Sequence, residues 1–207
     1  MKDAKNEMYY TREPSSASSP APCAFQYRGH ALRFMTDAGV FSKGELDEGT
    51  RLLLSALPAL RGDVLDLGSG WGAIGVSIAR ANPDARVTMA DVNLRALGLC
   101  RDNAERNGVT CECIESDGMS ALAGRVFDAV VTNPPIRAGK QVIYRMFADA
   151  ARSLRTGGAL YLVIRKQQGA ESCVKYLKTL FGSVERLDRE AGFWVLKASE
   201  PYDTSEA

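Results

Sequence analysis

The stretch DVLDLGSGWGA, residues 63–73, decides the fold. DVLDL has the apolar character of a short buried strand, and the glycines after it permit a tight turn. A helix follows and runs to about Ala81, where Asn82-Pro83 ends it. Because glycine has no side chain, the N–H groups at the start of this helix can approach a ligand closely. The stretch therefore predicts the first half of a βαβ unit with a binding loop at its turn.

The same strand and helix rhythm continues to the end of the chain. Further strands are predicted over 85–91, 111–115, 127–132, 157–164, 183–189 and 193–199, and further helices over about 47–57, 93–107, 140–154 and 170–181. Strands that alternate with helices imply right-handed crossovers and a parallel sheet covered on both faces. The last two strands are too close together for a crossover helix, so they form an antiparallel hairpin. We predict an α/β fold, a Rossmann-like doubly wound sheet of seven strands that is mostly parallel.

The two ends of the chain differ from this domain. Residues 1–24 are polar and rich in Ser and Pro, which predicts a disordered N-terminal tail without a secretory signal. A short hairpin around Gly29-His30 opens the domain, which is predicted over 25–200, and residues 201–207 form a second tail. The five cysteines include no CxxC pair, and no apolar run is long enough to span a membrane. These features predict a cytoplasmic protein with reduced thiols and no membrane association.

Composition excludes several kinds of chemistry. Lys plus Arg is 26 and Asp plus Glu is 25, so there is no global positive field for nucleic acid, and a polyanion must meet a local patch. His30 is the single histidine and no serine lies in a GxSxG elbow, which disfavours hydrolysis by a catalytic triad. Cys111 and Cys113 share one face of a strand and are interpreted as packing residues, so no metal site is predicted.

Three carboxylates follow the successive predicted strands. Asp66 lies two residues before the first glycine, Asp91 ends the second strand and Asp117 follows the third. In parallel sheets, ligands bind at the carboxyl ends of the strands, and an acid after the second strand can accept both ribose hydroxyls. The spacing Gly68-x-Gly70-x-x-Ala73 also satisfies the degenerate dinucleotide fingerprint, so the glycine loop alone does not distinguish an NAD site from another adenosine site.

The ordered segments VLDLGSGWGAIG, MADVN, SDG and TNPPI resemble the motifs of class I S-adenosylmethionine-dependent methyltransferases. FMTDAGVFSKGELDEGTRLLL followed by NPPIRAGK is similar to the small-subunit ribosomal RNA guanine-N2 methyltransferases, in a single-domain form. The resemblance implies S-adenosylmethionine as cofactor and RNA, specifically small-subunit ribosomal RNA, as partner. It also implies that the cofactor is bound by Phe41, Ser42, Asp47, Asp66, Gly68, Ser69, Gly70, Asp91, Val92, Asp117, Gly118 and Asn133.

Asn133, Pro134 and Pro135 are the predicted catalytic residues. The nitrogen of an exocyclic amine is a poor nucleophile because its lone pair is delocalised into the ring. The Asn133 side-chain oxygen and the Pro134 carbonyl could accept its two N–H groups and favour the pyramidal form, while the prolines fix that carbonyl. Proton loss after methyl transfer would need no general base.

The substrate side is predicted from the residues that follow the prolines. Many amino-methyltransferases have an aromatic residue where this chain has Ile136, so Phe41 or Phe34 is expected to supply the ring that stacks on the base. The predicted substrate-binding residues are Ile136, Arg137, Lys140, Arg165 and Lys166. Arg145 is equally compatible with a solvated helix face.

Three other functions stay open at the level of sequence. A protein glutamine N5-methyltransferase faces the same problem at an amide nitrogen, although Ile136 and the nearby cations argue against it. An inactive cofactor-binding or RNA-binding module is disfavoured by the intact Asn-Pro-Pro. A nicotinamide-dependent oxidoreductase is disfavoured because the chain has no Tyr-x-x-x-Lys pair. The sequence does not indicate the oligomeric state.

Overall fold

The computed structural model describes residues 11–202, along which strands and helices alternate as predicted. Three strands and a helix precede the glycine loop, and the rest follow it. In chain order the elements are β1 (Ala21–Tyr27), β2 (His30–Thr36), α1 (Glu48–Ala56), β3 (Gly62–Leu67), α2 (Ala73–Ala81), β4 (Ala85–Asp91), α3 (Leu94–Arg106), β5 (Glu112–Glu115), β6 (Phe127–Thr132), α4 (Lys140–Arg152), β7 (Leu154–Arg165), α5 (Ala170–Leu177), β8 (Phe181–Glu190) and β9 (Phe193–Pro201).

The main sheet confirms the predicted fold class. Its seven strands lie in the order β5-β4-β3-β6-β7-β9-β8. The first five of these are parallel, whereas β9 is antiparallel to both β7 and β8. The chain moves outward from β3 to β5 and then returns to place β6 on the other side of β3. The strand order therefore reverses between β3 and β6, which is where open α/β sheets bind ligands.

Apolar side chains bury both faces of the sheet. On one face, a core that includes Leu53, Val76 and Ile78 joins α1, α2 and α3 to the sheet. On the other face, a core that includes Phe147 and Leu177 joins α4 and α5 to it. This double covering explains why successive residues of β3 and β6 are buried although they point to opposite faces of the sheet.

The N-terminal hairpin of β1 and β2 is fixed to the domain by two asparagines of α3. The Asn103 side chain accepts from Met35 N (2.8 Å) and donates to Met35 O (2.9 Å). One turn later, Asn107 makes the same two bonds with Arg33 (3.0 and 2.8 Å). The side-chain amides of Asn103 and Asn107 thus bond the backbone N–H and C=O groups at the edge of β2 that a neighbouring strand would otherwise bond. This attachment fixes the position of the segment after β2, residues 37–47, above the glycine loop.

The tail predicted over residues 1–24 is wrong from residue 11 onward. Strand β1 begins at Ala21, and residues 11–20 lie against the domain, because side chains distant in the sequence supply partners for their polar groups. Residues 1–10 lie outside the described part of the chain. At the other end, β9 extends to Pro201 and Tyr202 N donates to Leu180 O, so the domain ends slightly later than predicted. Residues 203–207 are also outside the described part.

Several element boundaries also differ from the prediction. Strand β7 begins at Leu154 rather than at residue 157. Helix α5 ends at Leu177, and β8 already begins at Phe181, which was predicted to be the last residue of that helix. Leu177 and Phe181 are both buried and lie four residues apart, so their spacing suits a helix although the chain has turned between them.

Candidate active site

A cavity of about 970 Å³ opens at the carboxyl ends of the parallel strands. Its wall includes most of the predicted site residues, namely Phe41, Ser42, Asp47, Gly68, Ser69, Gly70, Asp91, Val92, Asp117, Gly118, Asn133, Pro134, Pro135, Ile136, Arg137 and Arg165. Three predicted residues are absent from the wall: Asp66, Lys140 and Lys166. The structure thus brings residues from six separate segments to one place.

The glycine loop forms the floor of the cavity. Gly68, Gly70 and Gly72 have φ angles of +74°, +55° and +89°, which side chains other than glycine rarely adopt. These φ angles, rather than lack of space, favour glycine, since a Cβ at Gly68 or Gly70 would meet nothing within 4 Å. The same open space leaves the backbone of the loop accessible from the cavity. The start of α2 therefore presents its N–H groups and the positive end of its dipole to a ligand.

Asp91 connects the end of β4 to the glycine loop. Its Oδ2 accepts from Gly70 N (2.8 Å) and its Oδ1 from Asn93 N (2.9 Å). Burial raises the pKa of this carboxyl to about 6, and bonds from the backbone N–H groups of Asn93, Gly70 and Val92 partly offset that effect. An ionised carboxylate has about four lone-pair sites, so the two oxygens can accept further bonds from hydroxyl groups in the cavity.

The sequence resemblance placed Asp66 among the cofactor-binding residues, but its side chain does not reach the cavity surface. The side chain is completely buried between β3 and α2, and its Oδ2 accepts from Gly75 N (2.8 Å). Its Oδ1 has no hydrogen-bond partner among the described residues. Desolvation raises the pKa of Asp66 to about 7. Asp66 therefore anchors the first turn of α2 from below the loop.

Asn133 follows the last residue of β6 and faces the start of α1. Its Nδ2 donates to Asp47 Oδ2 (3.0 Å) and to Thr50 Oγ1 (2.9 Å). The same Asp47 oxygen accepts from Thr50 N (2.9 Å) and caps α1. A carboxylate only accepts, so the amide nitrogen must face it, and the opposite orientation would place two oxygens against each other. The Asn133 Oδ1 is thereby held as an acceptor on the remaining side of the amide.

The residues around Asn133 form a fixed turn. Thr132 Oγ1 donates to Leu67 O (2.7 Å), which ties the end of β6 to the start of the glycine loop. Ala138 N donates to Pro135 O (2.8 Å) and closes a short 3₁₀ turn over Ile136–Ala138 that leads into α4. Because each proline ring also fixes its own φ, little freedom remains on the carboxyl side of Asn133.

The segment after β2, residues 37–47, forms another part of the cavity wall. Trp71 Nε1 donates to Phe41 O (2.9 Å), so a side chain of the glycine loop holds this segment in place. Phe41 is 36% exposed, whereas Phe34 is 1% exposed and packs between Phe25 and Trp71. The suggestion that Phe34 stacks on a substrate is therefore wrong, and of the two rings only Phe41 reaches the cavity.

The predicted cations divide into two groups. Arg137 and Arg165 line the cavity, as does Arg145, which the sequence left undecided. Lys140 and Lys166 lie outside the cavity wall, and the Lys140 ammonium lies 5.1 Å from the ring centre of Tyr144.

The arginines at the cavity have partners already. Arg165 lies 3.7 Å from Glu48 and its guanidinium stacks 4.5 Å from the centre of the Phe193 ring, while Arg145 lies 3.5 Å from Asp117. These ion pairs are exposed, and such pairs contribute little to stability. An incoming anion can therefore replace the carboxylates at small cost.

Several cavity residues were not predicted from the sequence. Thr50, Trp71, Phe193 and Ser16 all line the wall. Thr50 had a usable signal, since it stands three residues after the helix cap Asp47, where a side chain comes close to the cap. The other three depend on contacts between distant parts of the chain. Within residues 11–202, no group of His, Cys, Asp and Glu is arranged to bind a metal, and no helix is long and apolar enough to cross a membrane.

Comparison with known proteins gives the family. The family model of the methyltransferase small domain matches residues 31–197, which is most of the chain. The chain belongs to the methyltransferase small domain family. It is an S-adenosylmethionine-dependent methyltransferase, as the sequence resemblance implied.

Individual relatives differ in length. The Bacillus subtilis protein YbxB, described as uncharacterized, is 40% identical over 94% of this chain and 99% of its own length. The ribosomal RNA small subunit methyltransferase C of Hahella chejuensis is 41% identical over 68% of this chain but only 42% of its own length.

A solved structure agrees with both the fold and the family. The T. thermophilus 16S rRNA N2 G1207 methyltransferase (RsmC), in complex with AdoMet and guanosine, superposes with a TM-score of 0.80 at 31% identity. The match covers 89% of this chain and 51% of that one. The chain thus spans about half the length of the ribosomal RNA methyltransferases that it resembles.

Proposed function

We propose that this protein transfers a methyl group to the exocyclic N2 amine of a guanine in RNA, with small-subunit ribosomal RNA as the target. One observation carries the proposal: Asp47 and Thr50 orient the Asn133 amide so that its oxygen is an acceptor. Such an acceptor suits an amine that must present two N–H groups and a free lone pair. The RNA target is supported by the names of the longer relatives.

The cavity has the features that the cofactor requires. We assign the cofactor to the open glycine loop of Gly68 to Gly72, to Asp91 at the end of β4 and to Asp117 after β5. The carboxylate of Asp91 would accept the ribose hydroxyls, and Asp117 and Gly118 would lie at the adenine edge. When bound, S-adenosylmethionine supplies an electrophilic methyl group on a positively charged sulfur.

The residues around Asn133 prepare the nitrogen for attack. The Asn133 Oδ1 and the Pro134 carbonyl each accept one N–H group of the amine. Two acceptors on one side draw the hydrogens together and direct the lone pair away from them, which favours the pyramidal nitrogen. The turn that fixes Pro134 and Pro135 means that these dipoles need not reorganise during the reaction. The proton leaves to water after the new C–N bond has formed.

The remaining cavity residues suit a nucleotide. Phe41 offers an exposed ring in the cavity wall, which Ile136 also lines, and stacking of one base on an aromatic ring is worth roughly 1–3 kcal/mol. Arg137, Arg145 and Arg165 add positive charge at the mouth of a protein whose net charge is only +1. This local charge suits the phosphates of a single-stranded or unpaired segment, because a guanine amine is accessible only when the base is exposed.

Methyl transfer to purified ribosomal subunits tests the proposal. With tritiated S-adenosylmethionine, we expect label in the small subunit that ribonuclease solubilises and protease does not. The variant Asn133→Ala should bind S-adenosylhomocysteine with near-normal affinity in calorimetry and transfer almost no label. Label that protease releases and ribonuclease does not would instead indicate a protein glutamine N5-methyltransferase.

A further inference from the structure

Residues 11–20, which we call the N-terminal strap, run along the rim of the cavity before β1 begins. Ser16 of the strap lies in the cavity wall, beside Ala38 and Gly39 of the segment after β2. The family model begins at residue 31, so the strap lies outside the matched region.

The first half of the strap crosses the ends of β4 and β5. Arg12 O accepts from Leu94 N (2.9 Å), the first residue of α3, just beyond Asp91. The Arg12 guanidinium donates to Glu115 at 2.6 Å, and Glu115 is the last residue of β5, two before Asp117. The strap therefore spans the two strand ends whose carboxylates face the cavity.

The second half of the strap is bound to the segment after β2. Arg95 donates to Ser16 O (2.9 Å) and to Ala38 O (2.7 Å), so one guanidinium joins the strap to that segment. Ser18 Oγ donates to the buried carboxylate of Asp37 (2.7 Å), as does the backbone N–H of Ser19.

Close packing at Gly39 adds to these bonds. A Cβ at Gly39 would lie 2.5 Å from Pro14 Cβ and 2.7 Å from Ser16 Oγ, so the strap is packed directly on this glycine. The docked strap thus has one defined position rather than a loose surface contact.

We infer that the N-terminal strap is part of the cofactor site and forms the wall beside the nucleoside, with Ser16 as a cofactor-contacting residue. Its contacts with the domain are mostly polar and lie near the surface, so the docked position is held by modest interactions. A cofactor that touches both the strap and the strand ends would stabilise the docked position. By linkage, the docked strap must raise the affinity for the cofactor by the same factor.

The test compares the full chain with a chain that lacks residues 1–17, using S-adenosylhomocysteine in calorimetry. Removal of strap residues 11–17, which include Arg12 and Ser16, should weaken binding by roughly 5- to 150-fold, the usual range of coupling between sites. The thermal transition of the ligand-free protein checks that the shortened chain folds. Equal affinity of the two folded chains would overturn the inference.

A point variant and hydrogen exchange make the test independent of truncation. Arg12→Ala should weaken binding in the same direction, although by less. The matched control is Arg86→Ala, which removes an exposed ion pair with Asp63 (2.8 Å) at the opposite end of the sheet and should leave the affinity unchanged. Saturation with S-adenosylhomocysteine should also slow amide exchange in residues 11–20. Unchanged exchange there, or equal effects of the two arginine variants, would contradict the inference. None of these measurements depends on the identity of the methyl acceptor.

Discussion

The orientation of Asn133 can be tested by removing its two acceptors separately. Thr50→Val keeps the volume and branching of a buried side chain but deletes the Oγ1 that lies 2.9 Å from Asn133 Nδ2. Asp47→Ser keeps a residue that caps helices well, while its shorter side chain no longer reaches Asn133. The two variants therefore disturb the amide and leave α1 capped.

The size of each effect follows from the type of bond lost. A hydrogen bond between neutral groups contributes about 0.5–1.5 kcal/mol, so Thr50→Val should lower kcat roughly 2- to 12-fold. A bond to a charged group contributes about 1.5–3 kcal/mol, so Asp47→Ser should lower kcat roughly 12- to 150-fold. Each variant removes one of the two acceptors that orient the amide, so a larger part of the population can present its nitrogen to the substrate.

Single-turnover methyl transfer measures the chemical step, and calorimetry with S-adenosylhomocysteine measures the cofactor site. The expected result is a chemical step that slows by a larger factor than cofactor affinity falls, because Asp47 is itself a predicted cofactor-binding residue. Thr50→Ser, which keeps the hydroxyl, should retain most of the rate. If both variants react at the wild-type rate, or if cofactor affinity falls in step with the rate, the orienting role of Asp47 and Thr50 is refuted.

Three further outcomes are expected. Asp91→Ala should weaken S-adenosylhomocysteine binding roughly 100-fold or more in calorimetry, because two bonds to a charged acceptor are lost; wild-type affinity would show that the carboxylate is not a ligand. In the folded protein, Asp66 keeps its proton up to about pH 7 and Asp91 up to about pH 6, whereas unfolded carboxyls lose theirs near pH 4. The contribution of these raised pKa values to the free energy of unfolding is therefore greatest below pH 4. It is lost as the pH rises through 6 to 7. Denaturant titrations should show this slope in the wild type and a smaller one in Asp66→Asn; equal slopes would contradict it. Phe41→Ala should raise the KM for RNA with kcat less affected, and Phe41→Trp should preserve it, whereas equal KM values in steady-state assays would exclude stacking at Phe41.

The sequence predicted those parts of the fold that depend on local pattern. The short apolar strands and the glycine turn are local signals, and each lies where it was expected. In a parallel sheet the carboxyl ends of the strands lie at the same edge. Asp91, Asp117 and Asn133, which each follow or end a parallel strand, could therefore be assigned to one site before any distance was known.

The parts that were missed depend on contacts between distant segments. The side chain of Asp66 points into the space between the sheet and α2, and the sequence could not show that this helix closes over it. The serines of the strap have the composition of a disordered tail, yet Arg95 and Asp37 supply their partners. Likewise, the contact between Thr50 and Asn133 joins residues 83 positions apart.

We propose that Asn133 serves the methylation of a guanine amine in ribosomal RNA. The most direct measurement is quantitative mass spectrometry of the nucleosides of small-subunit ribosomal RNA from cells with and without this protein. N2-methylguanosine should decrease in the cells that lack the protein, return when the wild-type chain is restored, and not return with Asn133→Ala. An unchanged amount of N2-methylguanosine in the cells that lack the protein would refute the proposed function.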